Sequence, residues 1–126
     1  MLKILLVDDD PLQAFVRKSI LEKQFTDVQR VADAAEALCL VEQPQFARNL
    51  GLVVTEHRLA GIGGPAFVAE LHTRIPSLPV LVLGDWSKDY GNYSGDNVCF
   101  LPRPILPEKM LALATRMLAQ NQRKTA

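Results

Sequence analysis

Three features of the sequence predict an α/β fold with a parallel sheet covered by helices. Short apolar runs alternate along the chain with amphipathic stretches, the pattern of buried strands joined by crossover helices. The runs are too short for helices and are bounded by acids, glycines or prolines. Pro11, Pro65 and Pro107 stand where helices would begin, a position where a missing N–H leaves no bond unmade.

Lys3–Val7 is a short apolar run bounded by acids and is read as the first strand. Asp10 is placed to cap the helix that Pro11 opens, with Leu12, Phe15, Val16 and Ile20 as its inward face out to about Lys23. Asp27–Val31, more polar, is expected as an edge strand. Asp33 caps a second helix with Ala37, Leu38, Leu40 and Val41 inward, and Pro44 ends it. Gly51–Thr55 is the third strand and Leu59–Gly64 a glycine-rich loop. A third helix carries Phe67, Val68 and Leu71 and closes at Ile75-Pro76. Pro79–Leu83 and Val98–Leu101 supply the fourth and fifth strands. The last helix turns Met110, Leu111, Ala114, Met117 and Leu118 inward, and Gln120–Ala126 is a polar, frayed tail. From Asp85 to Asn97, glycines, asparagines and no apolar repeat predict a turn of helix at most, then an irregular loop. This order fits a flavodoxin-like doubly wound fold with strand order 2-1-3-4-5, whose chemistry sits beyond the carboxyl ends of the strands.

Composition narrows the function. At 126 residues the chain can bury about two-thirds of its surface in one core. Fourteen basic and fourteen acidic residues cancel, which gives no electrostatic case for nucleic acid or an anionic membrane. The apolar run after Met1 meets three acids within a few residues, unlike a signal peptide or a membrane span. Cys39 and Cys99 lack metal-ligand spacing and are read as reduced core thiols, from which a cytoplasmic location follows. His57 and His72 show no partner spacing and are read as surface residues. No nucleophile–base pair appears, so the chain is not expected to be an enzyme. A G-x-G-x-x-G run and a P-loop are both missing, and Gly61-Ile62-Gly63-Gly64 offers at most weak anion binding.

Five positions at predicted strand ends carry a resemblance across nearly the whole chain. Asp8-Asp9-Asp10 follow the first strand, Glu56 the third and Gly84 the fourth, while Phe100-Leu101-Pro102-Arg103-Pro104 closes the fifth. The layout resembles the receiver domain of bacterial response regulators, in which the third strand ends in the phospho-accepting Asp, the fourth in Thr or Ser and the fifth in Lys-Pro. The resemblance implies a receiver-like domain over residues 1–119, with Asp8 and Asp9 as the acid pair and Phe100 as the switch aromatic. It also implies that Glu56 stands at the acceptor position, Gly84 at the Thr/Ser position and Arg103 at the Lys position. Mg²⁺ would be held by Asp9, by Asp8 largely through water, by the acceptor carboxylate and by the Arg58 carbonyl.

The substitutions bear directly on that chemistry. Glu is one methylene longer than Asp, so its oxygens reach roughly 1.5 Å further, into the space a phosphoryl group would fill. Phosphoryl transfer depends on in-line placement, and an error near 1 Å costs about a hundredfold. Arg103 offers a planar fork suited to a carboxylate, so a Glu56–Arg103 pair is expected, with weak or absent Mg²⁺ binding and no other cofactor. Gly84 has no hydroxyl through which phosphate could draw Phe100 inward. The expected function is thus an atypical, phosphorylation-independent receiver that works by binding a signalling protein or an output domain, with homodimerisation left open. Trp86 and Tyr90 are read either as contact residues or as packing over the irregular loop. The alternatives are a weakly active, Mg²⁺-dependent phosphoacceptor and a small-ligand module on the same fold.

Overall fold

In a computed structural model of the chain, residues 2–85, Tyr93, Gly95 and 97–125 are described. The elements are β1 (Lys3–Val7), α1 (Pro11–Leu21), β2 (Val28–Val31), α2 (Ala34–Val41), α3 (Pro44–Asn49) and β3 (Leu50–Glu56). They continue with β4 (Arg58–Leu59), β5 (Ile62–Gly63), α4 (Gly64–Arg74), β6 (Val80–Gly84), β7 (Val98–Pro102) and α5 (Pro107–Thr125). Five strands form one parallel sheet in the order β2-β1-β3-β6-β7, the doubly wound arrangement predicted. The polar strand β2 lies at one edge, as expected, and β7 at the other.

Side chains on a strand alternate between faces, so each central strand feeds two cores. Leu5, Val7, Val53, Val80 and Val82 pack beneath Ala37, Val41, Phe67, Val68 and Leu71 of α2 and α4. Ile4, Leu6, Leu52, Val54, Leu81 and Leu83 pack beneath Leu21 of α1 and Met110, Ala114, Met117 and Leu118 of α5. Burial on both faces is why these strands read as unbroken apolar runs. The caps form as expected. Asp10 accepts from the backbone N–H of Leu12 and Gln13, and Asp33 from that of Glu36.

Several expectations fail locally. Helix α1 is rotated from its predicted orientation: Leu12 and Phe15 are 74% and 71% exposed and Val16 48%, while Ala14, Arg17 and Leu21 are buried and, of the predicted stripe, Ile20 alone packs against the core. The inward stripe of α1 therefore contains an arginine, and what orients it lies beyond the helix itself. Pro44 ends α2 but also opens the short helix α3, where the missing N–H is equally harmless. Where a loop was expected over Leu59–Gly64, β4 and β5 form a tight antiparallel hairpin over residues 58–63, with Gly61 at a positive φ of 86° in its turn, and Gly64 already belongs to α4. Helix α5 runs through the expected tail to Thr125, and Asn121 is buried with its amide donating to the Gly51 carbonyl at 3.1 Å. Cys39 is exposed and Cys99 half-buried, so neither is a core thiol; both are free. His72 is half-buried, its ring bonded to the Leu78 carbonyl at 2.8 Å. The expected irregular segment after Asp85, with Trp86 and Tyr90, lies outside the described residues apart from Tyr93, Gly95 and Asn97. Among the described residues, no helix is long and apolar enough to cross a membrane.

Candidate functional site: a closed carboxylate–guanidinium pocket

The parallel register sets the site. Val7 pairs with Thr55, so the next residues, Asp8 and Glu56, emerge side by side at the carboxyl ends of β1 and β3. Gly84 pairs with Pro102, which brings Arg103 over the same edge, its N–H bonded to the Gly84 carbonyl at 2.9 Å. Arg30, reaching from β2, donates to the Asp8 carbonyl at 3.1 and 2.7 Å and fixes the turn after β1.

Helix α1 completes the pocket from above. Gln13 and Arg17 lie four apart, hence on one face of the helix. Arg17 Nη1 donates to Glu56 Oε2 at 2.6 Å and to Asp8 Oδ2 at 3.0 Å. Arg103 Nη1 reaches the other oxygen, Glu56 Oε1, at 3.2 Å. Gln13 uses both ends of its amide. Its nitrogen donates to Glu56 Oε2 at 3.2 Å and to the Asp8 carboxylate at 3.2 and 3.1 Å, and its oxygen accepts from Arg103 Nη2 at 2.6 Å. Two carboxylates thus face two guanidiniums, with a neutral amide between them. Three of the four charges are removed from water: Asp8 is fully buried, Arg17 is 4% exposed and Glu56 7%. Among the described residues no buried side-chain nitrogen or oxygen lacks a partner. That satisfaction matters because a half-paired buried network is costlier than an apolar one.

The Glu56–Arg103 pair expected from the sequence is present geometrically, but it is the outer pair. Arg17 and Gln13, which the sequence reading passed over, form the inner one. The available signal was two polar residues four apart, one turn past an acid cluster. Arg103, at 36% side-chain exposure, also lies 3.7 Å from exposed Asp85. Solvent screens such a pair, so Arg103→Ala should cost about 1 kcal/mol or less in urea unfolding.

Asp9 is exposed and makes no hydrogen bond or ion pair among the described residues. His57 follows Glu56 and is buried, not on the surface. Its ring is hydrogen-bonded to the Tyr93 hydroxyl and meets Phe100 edge-on, with centroids 5.5 Å apart. Gly84 adjoins it so closely that a Cβ there would lie 2.8 Å from the His57 Cβ and 3.5 Å from Glu56 Oε1. His57 therefore occupies the space a side chain at position 84 would need. Phe100 is half-buried against this histidine and the core beneath α4.

A Mg²⁺ ion needs near-octahedral oxygen ligands at about 2.0–2.1 Å. Here the Asp8 and Glu56 oxygens that face each other already share one guanidinium nitrogen at hydrogen-bond distance. Among the described residues no group of three or more His, Cys, Asp or Glu is arranged to hold a metal ion. As they stand, these residues do not fit the ion.

Comparison with known proteins agrees with this topology. The response regulator receiver domain description matches residues 4–95. An Arabidopsis thaliana protein, "Putative two-component response regulator ARR21", is 26% identical over 107 residues, covering 84% of this chain and 17% of its own length. The chain therefore spans about a sixth of the curated relative it matches. A receiver protein from Sinorhizobium medicae superposes with a TM-score of 0.84 at 18% identity, covering 95% of this chain and 96% of that one. The receiver domain of the hybrid histidine kinase CckA gives 0.76 at 25% identity, covering 92% and 98%. Sheet order, acid placement and a match over most of its length together assign the chain to the response regulator receiver domain family.

Proposed function

We propose that this chain is a receiver module that regulates by protein binding without being phosphorylated. In this reading Glu56 stands at the phosphoacceptor position, with Asp8 and Asp9 as the acid pair. Gly84 takes the Thr/Ser position, Arg103 the Lys position and Phe100 that of the switch aromatic. One observation carries it: both oxygens of Glu56 are held by guanidiniums, Arg17 on Oε2 and Arg103 on Oε1. A carboxylate can attack phosphorus only by bringing a free oxygen in line, and here that would mean first breaking an ion pair, either the buried one to Arg17 on Oε2 or the outer one to Arg103 on Oε1. The second half of a switch is blocked too, because His57 takes the space where a hydroxyl at position 84 would act. The partner is a signalling protein or an output domain. The exposed stripe Leu12, Phe15 and Val16 beside the pocket supports a role in protein contact, since adjoining apolar side chains on a surface mark interaction sites.

Intact-mass measurement after incubation with acetyl phosphate and Mg²⁺ tests the reading. The wild-type chain should carry no phosphoryl adduct. An adduct that disappears in Glu56→Gln would overturn the proposal. Slow phosphoryl acceptance is the second reading, favoured by the exposed Asp9, which has no partner among the described residues, and an adduct lost in Asp9→Asn would establish it instead.

A further inference from the structure

We infer that Arg17 is a resident cation that stands in for a divalent metal and makes the pocket insensitive to metal ions. The inference deepens the reading of a closed pocket and rests on it, yet it can fail separately, because cation binding is measured without a phosphodonor. Asp8 is fully buried and Glu56 nearly so, so two adjacent anions at the strand ends need a positive charge within contact distance. Arg17 Nη1 supplies it to both, at 3.0 and 2.6 Å. The position is internal to the sheet–helix interface, unlike that of Arg103 at its rim. A guanidinium donates hydrogen bonds, stays charged at any relevant pH and cannot dissociate, so the charge balance of the pocket no longer depends on metal concentration. The residue also sits on α1 between Ala14 and Leu21, the two buried apolar anchors of that helix. The neutralising charge and the seating of α1 are thereby one device. A mobile ion would leave the helix free of the pocket.

Isothermal calorimetry and thermal unfolding with MgCl2 and MnCl2 test this on the full chain. Wild type should give no binding heat and no shift in Tm at about 10 mM of either ion, since only a ligand of the native state raises Tm. Arg17→Ala should gain a Tm increase of several degrees under the same conditions, and Arg17→Ala/Glu56→Gln should lose that gain. If Arg17→Ala is unfolded without metal, Arg17→Met, which keeps the apolar stem, is measured beside it, and recovery of its circular dichroism on adding Mg²⁺ counts as the same gain. Sub-millimolar Mg²⁺ binding by wild type would overturn the inference. So would a folded Arg17→Ala or Arg17→Met that shows no cation dependence, or neither variant recovering structure with metal.

Discussion

Replacing Arg17 with alanine should destabilise the fold by about 3–5 kcal/mol, because it leaves the fully buried Asp8 carboxylate without its bonded cation and Glu56 beside it with only the outer guanidinium of Arg103. Asp8 is fully buried and the Glu56 side chain is 9% exposed, so water cannot take over the role of the guanidinium. Arg103 cannot move in, as it is held on the opposite Glu56 oxygen and on Gln13. Urea unfolding followed by circular dichroism measures the loss. In a Glu56→Gln background, with one of the two charges removed, the same substitution should cost less by about 1–3 kcal/mol, the coupling expected of directly bonded partners. A loss below about 1 kcal/mol for Arg17→Ala would mean that the ion pair is solvated in solution and the pocket open.

Gly84→Ala should cost about 1–3 kcal/mol by overpacking. The added Cβ would meet the His57 Cβ at 2.8 Å, and both atoms are fixed to their backbones, so no side-chain rotation relieves the contact. One strand end must shift. Gly84→Thr should cost more, and His57→Gly combined with Gly84→Ala should be more stable than the sum of the two single losses, because the clashing atom is gone. Unfolding midpoints in urea decide it. A Gly84→Ala chain within about 0.5 kcal/mol of wild type would show that the strand ends yield freely. By the same contact, placing a hydroxyl-bearing side chain at position 84 should need a second change at His57. Glu56→Asp, Gly84→Thr and Arg103→Lys together would still leave His57 in the way and Arg17 on the acids.

The sheet was legible because its central strands are buried on both faces, and continuous apolar runs such as Ile4–Val7 and Val80–Leu83 follow from that alone. The caps at Asp10 and Asp33 were legible because capping is local. The seating of α1 was not. Of its most regular apolar stripe, Leu12, Phe15 and Val16 are exposed and only Ile20 packs inward, while Arg17 is buried on partners outside the helix, Asp8 and, 39 residues away, Glu56. A hydropathy pattern places arginine outside and has no term for a buried counter-ion. His57 was misplaced for a similar reason, since its burial depends on Tyr93, 36 residues on, and on Phe100. Cys39 was readable in principle: Ala37 and Val41, four apart, define the inner face of α2, and residue 39 lies on the far side. The strand-end positions themselves followed from topology, which brings Asp8, Glu56, Gly84 and Arg103 to one edge whatever side chains they carry.

The closed pocket is tested most directly by the guanidinium ¹H–¹⁵N spectrum of the wild-type chain at neutral pH, with and without Mg²⁺. A guanidinium bonded to two buried carboxylates should give resolved, slowly exchanging Nη–H signals for Arg17, unchanged by about 10 mM Mg²⁺ and lost in Arg17→Ala. A single averaged Arg17 signal exchanging freely with water, or a Mg²⁺-induced shift of that signal, would contradict the closed pocket.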